Sequence, residues 1–402
     1  MSSRYKLIFF IWLLQFVNYL DRVNISVAGP TMMKSLSIDA GSFGLILAAF
    51  TLGYAFMQMP GGFLADRFGA KTLLVCAPLV WSIFTGLTGV VHTVEALIAV
   101  RLCFGLAEGS SNASFYKIIG DNFSSKERAK AAGYWNTALA LGPACVAPLA
   151  VRVLGRTGWE NLFLIFALPG FAMALLLWYV LPNDKRGLVR ADSVEETHKI
   201  GWKALLSRPS TWLLFIAYLT FNVGFWGFLG WMPGYLAMAR HIDLKTLGYA
   251  ASIPYVFGFF GLLVFGWLGS HTFYRYRGQL VGVGYALAAL SLYLAYSASD
   301  IGPCMIGLCC AAFFLYGGFG PYGSIALDLA PAPERAAFVG FISTGGQIGG
   351  FFAPIVVGFV VNSTGSFNGG FIFMMCALLI SSGCYLSLNR YTRYSTVALA
   401  MP

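Results

Sequence analysis

Four charged side chains stand inside otherwise apolar runs of this 402-residue chain: Asp21 and Arg22 close to the N-terminus, and Arg101 and Glu108 further on. A charge within a membrane helix costs about 3 kcal/mol or more unless it is paired or hydrated, so such residues are functional candidates by default. Two carboxylates beside two guanidiniums suit proton sites coupled to an anion site. Burial disfavours a carboxylate's charge and a neighbouring Arg favours it, so an anion arriving at that Arg, or leaving it, switches protonation. The alternative is a static ion-pair network welding the surrounding helices together. Arg101 and Glu108 are seven residues apart, about 700° of helical rotation, and so share one face while lying roughly 10 Å apart along the axis. Counted along their helices, Asp21 and Glu108 both fall about 20 Å from a helix end, near mid-membrane. Depth then favours Arg101 beside Asp21 and Arg22 beside Glu108, although Asp21 and Arg22 diverge by about 100° and cannot both face one neighbour squarely. Lys117 lies close to a helix end, where snorkelling to the surface accounts for it.

The elements that must carry these residues follow from composition. The chain is 58% hydrophobic and 10% charged, whereas a soluble domain carries roughly 25% charged residues. A bilayer core needs about 20 mostly apolar residues per helix. Twelve runs qualify: Leu7–Lys34, Gly41–Ala65, Thr72–His92, Glu95–Ile119, Arg128–Leu154, Glu160–Leu181, Pro209–Met238, Thr246–Ser270, Gly278–Ser297, Gly302–Leu329, Glu334–Asn362 and Phe367–Asn389. No run alternates with the period of two of a barrel strand, so an all-α integral membrane protein of twelve transmembrane helices is expected. Lys and Arg are retained on the cytoplasmic side. With the N-terminus inside, eighteen of them fall in inner loops against five in outer ones, which predicts a multi-pass protein of the plasma or inner membrane with both termini cytoplasmic.

That basic rim also accounts for the net charge of +10 without invoking nucleic acid. All eight cysteines lie in predicted helices without ligand spacing, and no metal or cofactor is implied. The first run is too long for a signal peptide, and Asp21 and Arg22 interrupt it, so it is expected to stay in the mature protein. Gly69, Ala70, Lys71 and Thr72 lack the GK[ST] phosphate loop of an ATP-driven pump, and no catalytic cluster suggests an enzyme.

Residues 182–208 form the one long polar stretch, a predicted cytoplasmic linker between a bundle over 1–181 and a second over 209–402 with a short cytoplasmic tail. The halves repeat: Glu127, Arg128, Ala129 and Gly133 match Glu334, Arg335, Ala336 and Gly340 at an offset of 207, and Gly158 matches Gly365. Duplicated six-helix halves enclosing a central site are a transporter arrangement. After the second run, Gly62, Leu64, Asp66, Arg67, Gly69 and Lys71 make a loop whose counterpart (Gly266, Leu268, Ser270, His271, Phe273 and Arg275) is degraded. On this loop the chain resembles the major facilitator superfamily, whose signature there is G-x-L-a-D-r-x-G-x-[KR]. The resemblance implies the major facilitator fold and gating roles for Asp66, Arg67, Lys71, Glu127, Arg128, Glu334 and Arg335. Asp66 is expected to pair with an Arg or cap a neighbouring helix, and Ser270, in place of the acid, to weaken the second latch.

A closer resemblance is carried by Asn18, Tyr19, Leu20, Asp21, Arg22, Asn24, Ser26 and Val27, by Arg101, Gly105 and Glu108, by Trp231, Pro233 and Tyr235, and by Ser252, Ile253 and Pro254. These look like the motifs of the anion:cation symporter family, proton-coupled carriers of sugar acids, aromatic acids and other organic anions. The resemblance implies Asp21 and Glu108 as proton carriers, Arg22 as the anion-binding residue and Arg101 as the balancing charge. After Glu108 the family's proline and tryptophan give way to Gly109, Ser110, Ser111 and Asn112, which loosens any transfer of substrate identity. Depth adds Tyr54, Gln58, Asn222, Trp226 and Gln347 as cavity candidates, with helix packing as the competing reading.

The expected activity is therefore import of a small organic anion with protons by alternating access, a monomer sufficing. A proton-driven drug or cation antiporter would gain nothing from Arg22. A sensor on the same fold would need an added signalling segment. No Lys or Arg stands mid-membrane in the C-terminal helices, so monocarboxylates are expected over dicarboxylates.

Overall fold

The computed structural model describes residues 3–123, 131, 133–181, 206–329 and 335–398, and among these every regular element is helical. Twelve spans result. The first three are Ser3–Leu36, Ala40–Phe68 and Ala70–Thr88; the fourth is Val94–Gly109 continued by Asn112–Asn122. The fifth and sixth run together as Ala138–Val180 and part at Gly158. The seventh is Pro209–Met238, the eighth Leu244–Ala250 with Ile253–Ser270, the ninth Arg277–Ser297, and the tenth Ile301–Gly317 with Phe319–Leu329. Arg335–Thr364 and Asn368–Ala398 are the eleventh and twelfth. Nine described helices are long and apolar enough to cross a membrane. The second span within 133–180, the charge-bearing first span and the broken fourth complete the twelve.

Turn chemistry sets the boundaries. Asp39 caps the second span by accepting from the Ser42 amide at 3.0 Å, and that hydrogen bond holds its carboxyl below the usual carboxylate range. Asp243 caps the eighth span in the same way through Lys245 and Thr246. Gly158 and Gly365, matched by the repeat, both turn with positive φ, 86° and 67°. Gly158, with ψ at 176°, lies where side-chain-bearing residues are strained by about 1–3 kcal/mol. Gly158→Ala is therefore expected to lower the melting temperature of the detergent-solubilised protein. Gly383→Ala, whose Cβ would meet nothing within 4 Å, should leave it unchanged; equal melting of the two variants would refute the strain argument.

The chain forms two compact units: Met1–Arg186 with Leu229–Val256 and Pro354–Phe367, and Gly187–Phe228 with Phe257–Ala353 and Asn368–Pro402. In the first unit, glycines bring the second and fourth spans into backbone contact. A Cβ on Gly53 would strike the Leu102 carbonyl, one on Gly105 the Phe50 carbonyl and one on Gly109 the Tyr54 carbonyl. That approach presses Phe50 and Tyr54 onto the face bearing Arg101 and Glu108. The ends of the seventh and eleventh spans also belong to this unit: Trp231 Nε1 donates to the Pro354 carbonyl at 3.1 Å, and its ring meets Phe43 edge-on at 5.7 Å. The second unit repeats the device, with Gly261 against the Phe313 carbonyl and Gly349 against the Leu219 carbonyl. Gly345 and Gly346 likewise close on the seventh span.

Candidate functional site

Asp21 and Arg22 leave the first span on different sides. Arg22 reaches the fourth span and forms a buried ion pair with Glu108. Its Nη2 also contacts Asn18 Oδ1, one turn back, at 3.3 Å. Three rings surround the guanidinium: Tyr19 at 4.4 Å, Phe50 at 5.0 Å and Tyr54 at 5.1 Å. Flat aromatic faces favour a guanidinium without taking its in-plane hydrogen bonds, so the fork stays directed along its edge. Asp21 turns toward the indole of Trp81 on the third span and faces the charge of Arg101. Neither of its carboxylate oxygens makes a hydrogen bond of normal geometry among the described residues. Arg101 lies 4.6 Å over Phe104 and 5.5 Å from the Phe50 ring, which thus touches both guanidiniums.

The two pairings are the ones depth favours, and each acid faces one cation. All four side chains are buried, with Asp21 and Glu108 each 1% exposed. Removing one partner of such a pair leaves an uncompensated buried charge, which costs about 3–5 kcal/mol. Immediately beyond Glu108 the fourth span breaks. Ser110 and Ser111 turn their hydroxyls back onto the Ala107 and Glu108 carbonyls at 2.7 and 2.8 Å, and the helix resumes at Asn112. Local hydroxyl-to-backbone bonding competes with the helical ladder at this step.

The other candidates distribute differently. Tyr54 belongs to the Arg22 surround, whereas Gln58, one turn further along, is half-buried. In the second unit, Asn222 donates to the Tyr218 carbonyl at 2.8 Å and lies with Tyr218 against Gly346, next to Gln347. Trp226 packs against the cluster of Val223, Ala353 and Ala377.

Asp66 pairs with Lys117 at 2.8 Å, and the same ammonium bonds the Ala65 carbonyl at 3.1 Å. The expected Arg partner is thus replaced by a Lys from the fourth span, and Lys117 ends on a specific acid. Arg67 lies over Phe68 at 5.3 Å and Lys71 over Trp178 at 5.6 Å. Glu127, Arg128 and Glu334 lie outside the described residues, as do the Arg335 side chain and most of the 182–208 linker. At the second loop, Arg277 pairs with Asp328 of the tenth span at 2.9 Å and bonds the Gly269 carbonyl. Here the acid stands on the tenth span and the cation at the start of the ninth, the polarity reversed relative to Asp66 and Lys117.

The described residues thus make twelve membrane spans, with a buried ion pair joining the first to the fourth. Residues 11–354 match the family model of the Major Facilitator Superfamily, and the chain belongs to that family. It is 30% identical to a probable L-galactonate transporter of Escherichia coli, over 93% of this chain and 86% of that protein. It is 28% identical to a hexuronate transporter of Bacillus subtilis over 92% of both chains. A third relative, a probable galactarate/D-glucarate transporter of Escherichia coli, is 29% identical over 96% of this chain and 93% of its own length. In fold the chain is similar to a bacterial homologue of the human lysosomal transporter Spinster, with a TM-score of 0.80, 18% identity and coverage of 97% and 98%. The protein is a transporter and not an enzyme.

Proposed function

We propose that this protein imports a small organic anion, a sugar acid such as an aldonate or uronate, together with protons and by alternating access. The observation carrying the reading is the buried Arg22–Glu108 pair. A substrate carboxylate and the Glu108 carboxylate compete for one planar guanidinium. When Glu108 takes up a proton it loses the charge that holds Arg22, and the substrate carboxylate accepts the fork in its place. When the substrate leaves, Arg22 again favours ionised Glu108 and the proton departs. Proton and anion therefore travel in the same direction. The Asp21–Arg101 pair supplies a second titrating site with its own counter-charge, and the names of the relatives support the sugar-acid class.

The membrane is the plasma or inner membrane of its host, with both termini cytoplasmic, and a monomer suffices for transport. Uptake of a panel of labelled organic acids into proteoliposomes under an imposed pH gradient tests the reading. Accumulation of a sugar acid supports it, and indifference to every acid in the panel refutes it.

Because each guanidinium has its own acid, binding one substrate carboxylate takes one protonation, and a second carboxylate would face a low-dielectric wall. Monocarboxylates are expected to compete better than the matching dicarboxylates. If one anion enters with two protons, an inside-negative potential at equal pH should accelerate uptake, each net charge gaining about 2.3 kcal/mol per 100 mV. No response to a potassium diffusion potential would set the ratio at one proton.

A further inference from the structure

We propose that Phe50 is a positioning residue shared by both proton sites: its ring supports the Arg22 and the Arg101 guanidiniums while their acids are protonated, and so sets how readily Glu108 and Asp21 take up a proton. The proposal rests on the proton-coupled reading above and adds a residue that reading does not use.

Protonation creates a difficulty that the two ion pairs do not solve by themselves. When Glu108 has taken up a proton and no substrate carboxylate has yet arrived, Arg22 is a buried cation facing a neutral group. Protonation of Asp21 leaves Arg101 in the same state. A buried charge without its counter-ion is costly, and the two like-charged guanidiniums lie close enough to act on one another. An aromatic face is a support that a guanidinium keeps through that interval. It has no proton to lose and no net charge to hold the cation back from an incoming carboxylate.

Phe50, on the second span, is where the two surrounds meet. Its ring centroid lies 5.0 Å from the Arg22 guanidinium carbon and 5.5 Å from that of Arg101, and the residue is 2% exposed. The ring is tilted against Phe104 at 5.4 Å and against Tyr54 at 5.8 Å. Its backbone is fixed as well, since the fourth span packs on the Phe50 carbonyl at Gly105, where a Cβ would collide. The other groups facing the two acids are divided between them. Glu108 meets Arg22, whose guanidinium also has the Tyr19 and Tyr54 rings. Asp21 meets Arg101 and the Trp81 indole, and Arg101 lies over Phe104 at 4.6 Å.

A cation–π contact matters most to a cation that has lost its counter-ion. Loss of the Phe50 ring therefore disfavours the protonated form of each acid more than the ion-paired form. The proton concentration needed at each site is expected to rise roughly three- to tenfold, about half to one pH unit toward acid.

The test follows exchange of a labelled six-carbon aldonate in proteoliposomes with equal pH on both faces, as that pH is varied. Exchange by the parent should fall toward alkaline pH. Phe50→Leu should move the midpoint acidward by the stated amount in three backgrounds: the parent, Asp21→Asn, where Glu108 is the acid left to titrate, and Glu108→Gln, where Asp21 is. Phe104→Leu, at the Arg101 surround, should move the midpoint in Glu108→Gln and leave it in place in Asp21→Asn. Ring-fluorinated phenylalanine inserted at position 50 is the second variant. It keeps the shape and packing of the side chain while drawing electrons from its face, and its shift should grow with the number of fluorines. Unmoved midpoints in both position-50 variants, with pH-dependent exchange in the parent, overturn the shared role while the proton-coupled reading stands. A shift confined to one single-acid background also overturns it, as does a Phe50→Leu shift that fluorination does not reproduce. A parent that exchanges no aldonate, or exchanges it equally at every pH, overturns the proton-coupled sugar-acid reading and this proposal with it.

Discussion

Arg22→Lys is expected to weaken sugar-acid uptake by roughly 10- to 100-fold, the worth of the one or two charge-assisted hydrogen bonds that a point charge cannot replace. The positive charge survives, so Glu108 keeps a counter-ion and the first unit should fold and melt as the parent does. The loss should appear as a raised half-saturation concentration in labelled uptake. The Tyr19, Phe50 and Tyr54 rings arrange a flat group at its faces, and an ammonium does not use that geometry in the same way. Parent-like half-saturation in Arg22→Lys would remove this residue from the substrate site.

Glu108→Gln should abolish concentrative uptake under a pH gradient while exchange of internal for external substrate persists. The amide nearly conserves shape, cannot titrate, and mimics the protonated state in which Arg22 accepts substrate. Asp21→Asn should impair accumulation in the same sense, since it leaves Arg101 beside a neutral group. If both variants concentrate substrate as the parent does, the coupling assignment to these two acids is wrong.

Much of this was legible in the sequence because membranes make the rules coarse. Apolar runs of fixed length mark spans, and the offset of 207 that relates Gly158 to Gly365 recurs in their shared positive φ. The pairing of Arg22 with Glu108 followed from depth alone, since in a bilayer two charges at one level have few other partners. What depth does not give is direction around the helix. Asp21, one residue from Arg22, turns to Trp81 of the third span, and only packing decides that. Lys117 reads as a snorkelling side chain until the close approach of the second and fourth spans at Gly61 and Gly109 brings Asp66 within reach. Ser270 reads as a weakened latch because Asp328, the acid that pairs with Arg277, is 51 positions from it in sequence.

The break after Glu108 carries no proline. Its signal is the Ser110–Ser111 pair, whose hydroxyls compete with the ladder.

Competition of the Glu108 and substrate carboxylates for the one Arg22 guanidinium, with Glu108 carrying the proton, is tested most directly by proton movement without an imposed gradient. Proteoliposomes loaded with a pH-sensitive dye, potential clamped, receive a sugar acid from outside. The interior should acidify as substrate enters, at the rate of labelled uptake, and Glu108→Gln should carry substrate down its own gradient with that acidification reduced or lost. Substrate entry into parent vesicles at constant internal pH would contradict the account.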